Sequence, residues 1–159
     1  MRKVNKLFVD IDGVVATAQP LEKYSEVGIF RRLPPMRGSH YFLNVLKTIC
    51  VCSNTEMIAL TKTFTPEKHE QDVEDKKYWL KTMFDPKLFD DILVVHPTEN
   101  KSKYIDGFSI LIDDYGKNCQ DWQDNCGIAI QIFETKTKKW ATCADYQETL
   151  NLVNKILRG

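Results

Sequence analysis

Residues 6–15, KLFVDIDGVV, decide how this chain is read. Leu7, Phe8 and Val9 form an apolar run without polar alternation, the pattern of a strand covered on both faces of a parallel sheet. The run leads straight into Asp10-Ile11-Asp12-Gly13. Asp is a poor strand former, and a carboxylate is costly to bury without a partner. An Asp-Gly turn would explain Asp12. It does not explain Asp10, the last residue of the strand expected over 6–10 (KLFVD).

Working outward, four more short apolar runs are expected to be strands: residues 48–52 (TICVC), 91–96 (DILVVH), 108–112 (FSILI) and 127–133 (GIAIQIF). Helices are expected at 39–47, 57–64, 66–83 and 146–157, the third as a mixed-charge, solvated face. Strands alternating with helices imply right-handed crossovers, and so a three-layer α/β/α sandwich around a five-stranded, mainly parallel, Rossmann-like sheet. Ligands of such sheets bind outside the carboxyl ends of the strands, where the strand order switches direction.

The strand ends carry the chemistry. The first ends at Asp10 and Asp12, the fourth at Asp113-Asp114, and four carboxylates at one sheet edge repel each other unless a cation lies among them. All-oxygen ligands suit magnesium, which takes one or two carboxylates and completes its shell with phosphate oxygens and water. The second strand is expected to end at Ser53-Asn54 before a helix, where a hydroxyl and helix N-terminal amides would hold a phosphate. Ahead of the fourth strand, Asn100-Lys101-Ser102-Lys103 offers a lysine to the same place.

Composition limits the alternatives. The 159 residues suit one domain, 1–159, and 43% hydrophobic residues with few Gly and Pro exclude a disordered or fibrous chain. Lys plus Arg number 22 against 22 Asp plus Glu, so there is no strong case for a nucleic-acid partner. The five cysteines form no CxxC pair, which argues against zinc and for free thiols in the reducing cytoplasm. Met1-Arg2-Lys3 is basic, but the apolar run after it contains Asp10 and Asp12, unlike a secretion signal. No stretch reaches the 18 apolar residues of a membrane span.

Together these residues resemble the haloacid dehalogenase (HAD) superfamily of aspartyl-phosphate phosphatases. Its DxD motif matches Asp10-Ile11-Asp12-Gly13-Val14, and its strand ending in Ser or Thr matches Ile49 to Ser53. Its lysine matches Lys103 or Lys101, and its acidic pair matches Ile110 to Asp114. Within the superfamily, residues 103–114 (KYIDGFSILIDD) look most like the 5'(3')-deoxyribonucleotidases, whose lysine lies ten residues ahead of the acidic pair, which favours Lys103. The resemblance implies Asp10 as nucleophile and Asp12 as general acid and base. Ser53, Asn54 and Lys103 would hold the phosphate, and Asp10, Asp12 (through its carbonyl), Asp113 and Asp114 would hold Mg2+. The helical cap of those nucleotidases shrinks here to a stub at about 16–35.

The expected activity is therefore magnesium-dependent hydrolysis of a small phosphate monoester, a nucleoside 5'-monophosphate preferred. Tyr24, Phe30, Tyr41 and Phe42, with Arg31, Arg32 and Arg37, are the candidates to read the leaving group, although Tyr41 and Phe42 are expected to face the core. One alternative is an open-site phosphatase acting on a phosphoprotein, a nucleic-acid end or another metabolite, and a homo-oligomer could then supply a lid. The other is a phosphate- or metal-binding module without turnover.

Overall fold

The computed structural model describes residues 5–159; the basic N-terminal residues 1–4 lie outside them. Strand β1 (Asn5–Val9) is central in a six-stranded, wholly parallel sheet ordered β3-β2-β1-β4-β5-β6. The others are β2 (Thr55–Lys62), β3 (Asp91–Val95), β4 (Ser109–Asp113), β5 (Ile128–Ile132) and β6 (Ala141–Cys143). The helices are α1 (Ser39–Cys52), α2 (His69–Met83), α3 (Gly116–Asp124) and α4 (Tyr146–Arg158). Order reverses between β1 and β4, which makes their carboxyl ends the switch point.

Alternate strand residues feed two separate cores. Leu7, Val9, Met57, Ala59, Ile110, Ile112, Ile130 and Ile132 pack with α1, α2 and α4, through Leu46, Trp79 and Val153 among others. Phe8, Ile58, Leu60, Leu111 and Ala129 face the other way, against Cys119 and Trp122 of α3. Phe8 and Trp122 meet edge to face at 5.2 Å. Strands buried on both faces have no polar side, which is why they read as unbroken apolar runs. The three-layer α/β/α architecture is as expected, with one additional strand, β6, too short to announce itself.

Two segments depart from the sequence reading. Residues 48–52 are not a strand but the last turns of α1. Their neighbours Ser39, Phe42, Leu43, Leu46 and Cys50 are buried at helical spacing, while Val51 is 65% exposed. Residues 57–64, read as a helix, lie mostly in β2, which is hydrogen-bonded between β1 and β3. Met, Ala, Leu and Lys are good helix formers, but intrinsic propensity is a small term, and burial between two strands overrides it. The join is Asn54, at φ 50°, the left-handed residue with which helices commonly end. Ser53-Asn54 thus closes a helix instead of opening one. Helix α3 was not anticipated.

Beyond β1, the backbone N–H groups of Val14, Val15 and Ala16 all donate to the carbonyl of Ile11. The chain then makes an excursion containing short 3-10 turns at Leu21–Ser25 and Ile29–Arg31. Its base is closed by a bridge between Ala16 and Pro35 and by hydrogen bonds from Thr17 N to Pro34 O and Met36 N to Val15 O. Of the aromatic candidates, Tyr24, Phe30 and Phe42 are buried and Tyr41 is 65% exposed. No helix among the described residues is long and apolar enough to cross a membrane.

Candidate active site

Asp10 follows the last residue of β1, and its backbone N–H donates to Ile112 O of β4 at 2.9 Å. This places its carboxylate beside Asp113 and Asp114 at the carboxyl end of β4. Ligand oxygens of Asp10, Asp113 and Asp114 lie within 4.8 Å of one another. Gly13 lets them converge. At φ +83°, a Cβ there would stand 2.2 Å from Asp114 Oδ2, so only glycine fits.

Of the described residues, one ammonium stands among these acids. Lys101 Nζ donates to Asp10 Oδ1 at 2.7 Å and to Asp113 Oδ2 at 2.8 Å, and its side chain is 1% exposed. Asp113 also accepts from the backbone N–H of Tyr115 at 2.9 Å and from Asn118 Nδ2 at 3.1 Å. Burial lowers the proton affinity of Lys101, but Asp10 and Asp113 outweigh it and hold the lysine above its ordinary range. Asp10 is pushed well up by burial, then by Asp113, with Lys101 opposing. Burial and Asp113 raise Asp114 to about 6.

Three carboxylates, two of them buried and Asp114 partly so, against one ammonium leave an excess of negative charge on hard oxygen donors. That donor set fits a divalent cation such as magnesium.

The fourth predicted acid is turned elsewhere. Asp12 Oδ2 pairs with Lys76 Nζ of α2 and accepts from Thr61 Oγ1 at 3.3 Å, while its Oδ1 is buried with no hydrogen-bond partner among the described residues. Its carboxylate is therefore not one of the converging three, and the expected convergence of four carboxylates is corrected to three; the metal contact expected of Asp12 runs through its backbone carbonyl and is untouched by this.

Two further assignments are corrected. Ser53 and Asn54 do not line the site. Because β2 runs parallel to β1, with Thr55 opposite Asn5, they lie at the amino ends of the strands. There the Ser53 hydroxyl donates to Ile49 O at 2.7 Å in closing α1. The carboxyl end of β2 instead brings Thr61, Lys62 and Thr63. Lys103 is replaced by Lys101. In the 3-10 turn Lys101–Tyr104, successive side chains point about 120° apart, so Lys101 enters the core while Lys103 is exposed and pairs with Glu99.

Beside Asp10 opens a cleft of about 490 Å³, lined by Asp12, Lys62, Thr63, Lys101, Asp114 and Asn118 on its polar side. Leu21, Tyr24, Phe64, Pro97 and Tyr115 form its apolar wall. Tyr24 stacks between Phe64 (4.3 Å) and Phe30 (5.6 Å), which leaves Phe64 42% exposed.

Lys76, Thr63 and Phe64 went unnoticed in the sequence. The signal for Lys76 was present: Asp72, Asp75, Lys76, Trp79 and Leu80, all buried, recur at i, i+3, i+4, i+7 and i+8. That is the spacing of a core-facing stripe, but three of its five residues are charged, and so it passes for a solvated face.

No protein-family model matches this chain, and no curated protein sequence matches it. Solved structures do. A haloacid dehalogenase-like hydrolase from Streptococcus pneumoniae superimposes with a TM-score of 0.61 at 10% identity, covering 96% of this chain and 99% of that one. A protein from Mesorhizobium loti assigned as a HAD-like phosphatase gives 0.61 at 11% identity, covering 97% and 87%. At such identities the likeness establishes the fold: this chain has the fold of haloacid dehalogenase-like hydrolases.

Proposed function

We propose that the chain is a magnesium-dependent phosphohydrolase that cleaves a phosphate monoester through an aspartyl-phosphate on Asp10, with a nucleoside 5'-monophosphate as the preferred substrate. The observation that carries this reading is Asp10 at the switch point, grouped with Asp113 and Asp114 around the buried ammonium of Lys101. Asp10, Asp113 and Asp114 are the residues to hold the metal. When bound, it supplies positive charge that offsets the repulsion between a carboxylate and a phosphate dianion.

An oxygen of Asp10 forms a bond to phosphorus as the bond from phosphorus to the ester oxygen breaks. Asp12 gives a proton to the departing oxygen, then takes one from the water that attacks the aspartyl-phosphate and releases inorganic phosphate. Its Oδ1, buried and without a partner, is the oxygen free for this exchange. Lys101, with Lys62 and the Thr63 hydroxyl at the cleft wall, holds the phosphoryl oxygens and stabilises charge in the transition state.

The apolar wall of Tyr24, Phe64, Pro97 and Tyr115 supports a planar, ring-containing leaving group that stacks on Phe64. The excursion at about 16–35 is proposed as the reduced cap. A second groove of about 590 Å³, which shares Asp114 with the first cleft and is lined by Thr17, Met36, Arg37 and Phe133, favours a second reading, a longer substrate such as a nucleic-acid end.

Phosphate release from a panel of mononucleotides, sugar phosphates, phosphopeptides and 5'-phosphorylated oligonucleotides, with and without magnesium, tests both. Mononucleotide turnover that needs magnesium and vanishes in Asp10→Asn is the expected result. Faster turnover of the oligonucleotides would favour the second reading, and no release from any substrate would sink the assignment.

A further inference from the structure

Lys76 has no part in the steps above, yet its residue is only 2% exposed. Burying an ammonium is costly unless it is partnered, and both hydrogen-bond partners of this one bear on Asp12. Its Nζ donates to Asp12 Oδ2 and, at 2.8 Å, to Thr61 Oγ1, which itself donates to the same Oδ2. The ring of Phe30 lies 4.0 Å from the ammonium, a cation–π contact that holds it on another side. Asp12 Oδ2 is thus fixed by two donors that are themselves immobilised, while Oδ1 keeps no partner. The carboxylate is thus divided, one oxygen held by protein donors and the other not held by any of the described residues.

We infer that Lys76 is a positioning residue: by tying down Oδ2 it leaves Oδ1 as the one oxygen through which Asp12 exchanges protons with the leaving group and with water. This rests on Asp12 being the acid–base residue proposed above. Lys76 lies on α2 and does not line the cleft, so it governs turnover and not substrate affinity. The ring over its ammonium belongs to the excursion, and Arg31 of that excursion pairs with Asp75 of α2 at 2.6 Å. The segment that walls the cleft therefore also braces the acid–base pair.

The test uses the full chain with magnesium and whichever phosphate ester the wild type turns over. In Lys76→Met, kcat per folded molecule should fall about 100-fold, the loss expected when a reacting group is slightly misplaced, with KM within about threefold. In Lys76→Ala, ethylammonium should restore turnover in a saturable way and leave the wild type unaffected. If neither variant folds, Thr61→Val replaces them: it removes the second anchor and should lower kcat about tenfold at constant KM. Wild-type kcat in folded Lys76→Met, or in Thr61→Val where that variant decides, overturns the inference. So does a loss carried by KM, or a Lys76→Ala defect that ethylammonium does not relieve. An inactive wild type overturns the phosphatase reading and this inference together.

Discussion

Lys101 Nζ lies 2.7 Å from Asp10 Oδ1, and both side chains are largely buried at the cleft, 1% and 9% exposed. The lysine comes from a turn 91 residues later in the chain, and it is the one ammonium bonded to Asp10 among the described residues. Removing it would strand two buried carboxylates. Lys101→Met should lower kcat by about 10²–10³ and destabilise the fold by roughly 3–5 kcal/mol, the usual result of breaking a buried pair. Lys103→Met, which removes only an exposed pair with Glu99, should keep near wild-type activity. Steady-state kinetics and urea melts on the two variants check the contrast; equal losses would reverse the assignment.

The crowding of Asp114 by burial and by Asp113 gives a pH dependence of defined sign. Its carboxyl titrates at about 6 in the fold, against 3.8 when unperturbed. The folded state thus binds the proton more tightly than the unfolded state, and stability falls as pH rises from about 4 to 6. Without magnesium, the melting temperature should decline through that window. Magnesium should raise it at pH 7 and much less at pH 4.5, where protons compete for the same oxygens. Thermal melts over pH, with and without magnesium, read this; a magnesium shift independent of pH would contradict it.

Gly13→Ala tests the convergence of the acids. A methyl group would meet Asp114 Oδ2 at 2.2 Å and impose φ +83° on a residue with a Cβ. The strain alone costs about 1–2 kcal/mol, and Asp114 must also move. Stability should drop by more than about 1 kcal/mol, and the magnesium-induced rise in melting temperature should largely disappear.

Phe64→Ala tests the leaving-group wall. Phe64 is 42% exposed beside the cleft and braced from behind by Tyr24. Stacking a base on an aromatic ring contributes about 1–3 kcal/mol, so KM for a mononucleotide should rise roughly tenfold. KM for a small alkyl phosphate should hardly change. A parallel rise for both would remove the stacking role.

The outcomes for individual elements show where sequence reasoning holds. Strands β1, β4 and β5 were legible because strands covered on both faces are apolar without interruption. Helix α4 was legible because its amphipathic stripe follows Asp145, whose side chain accepts from the Glu148 backbone N–H at 2.9 Å. The stretch 48–64 was inverted, helix for strand, because its local preferences are weak and oppose what neighbouring strands impose. Placing Ser53 in the site followed from that single inversion: once the strand's end moves from residue 52 to residue 62, the residues around its carboxyl end become Thr61 and Thr63.

The sequence alone determined the alternating α/β architecture and the positions of Asp10, Asp113 and Asp114, because burial periodicity and acids at strand ends are local signals. Only the tertiary structure decided which lysine joins them, that Asp12 faces Lys76 instead of the other three acids, and that a charged helical stripe is buried. Those outcomes depend on which charges meet across the sheet edge. A buried charge is acceptable only beside its partner, and here the partners lie 12, 64 and 91 residues apart in the chain.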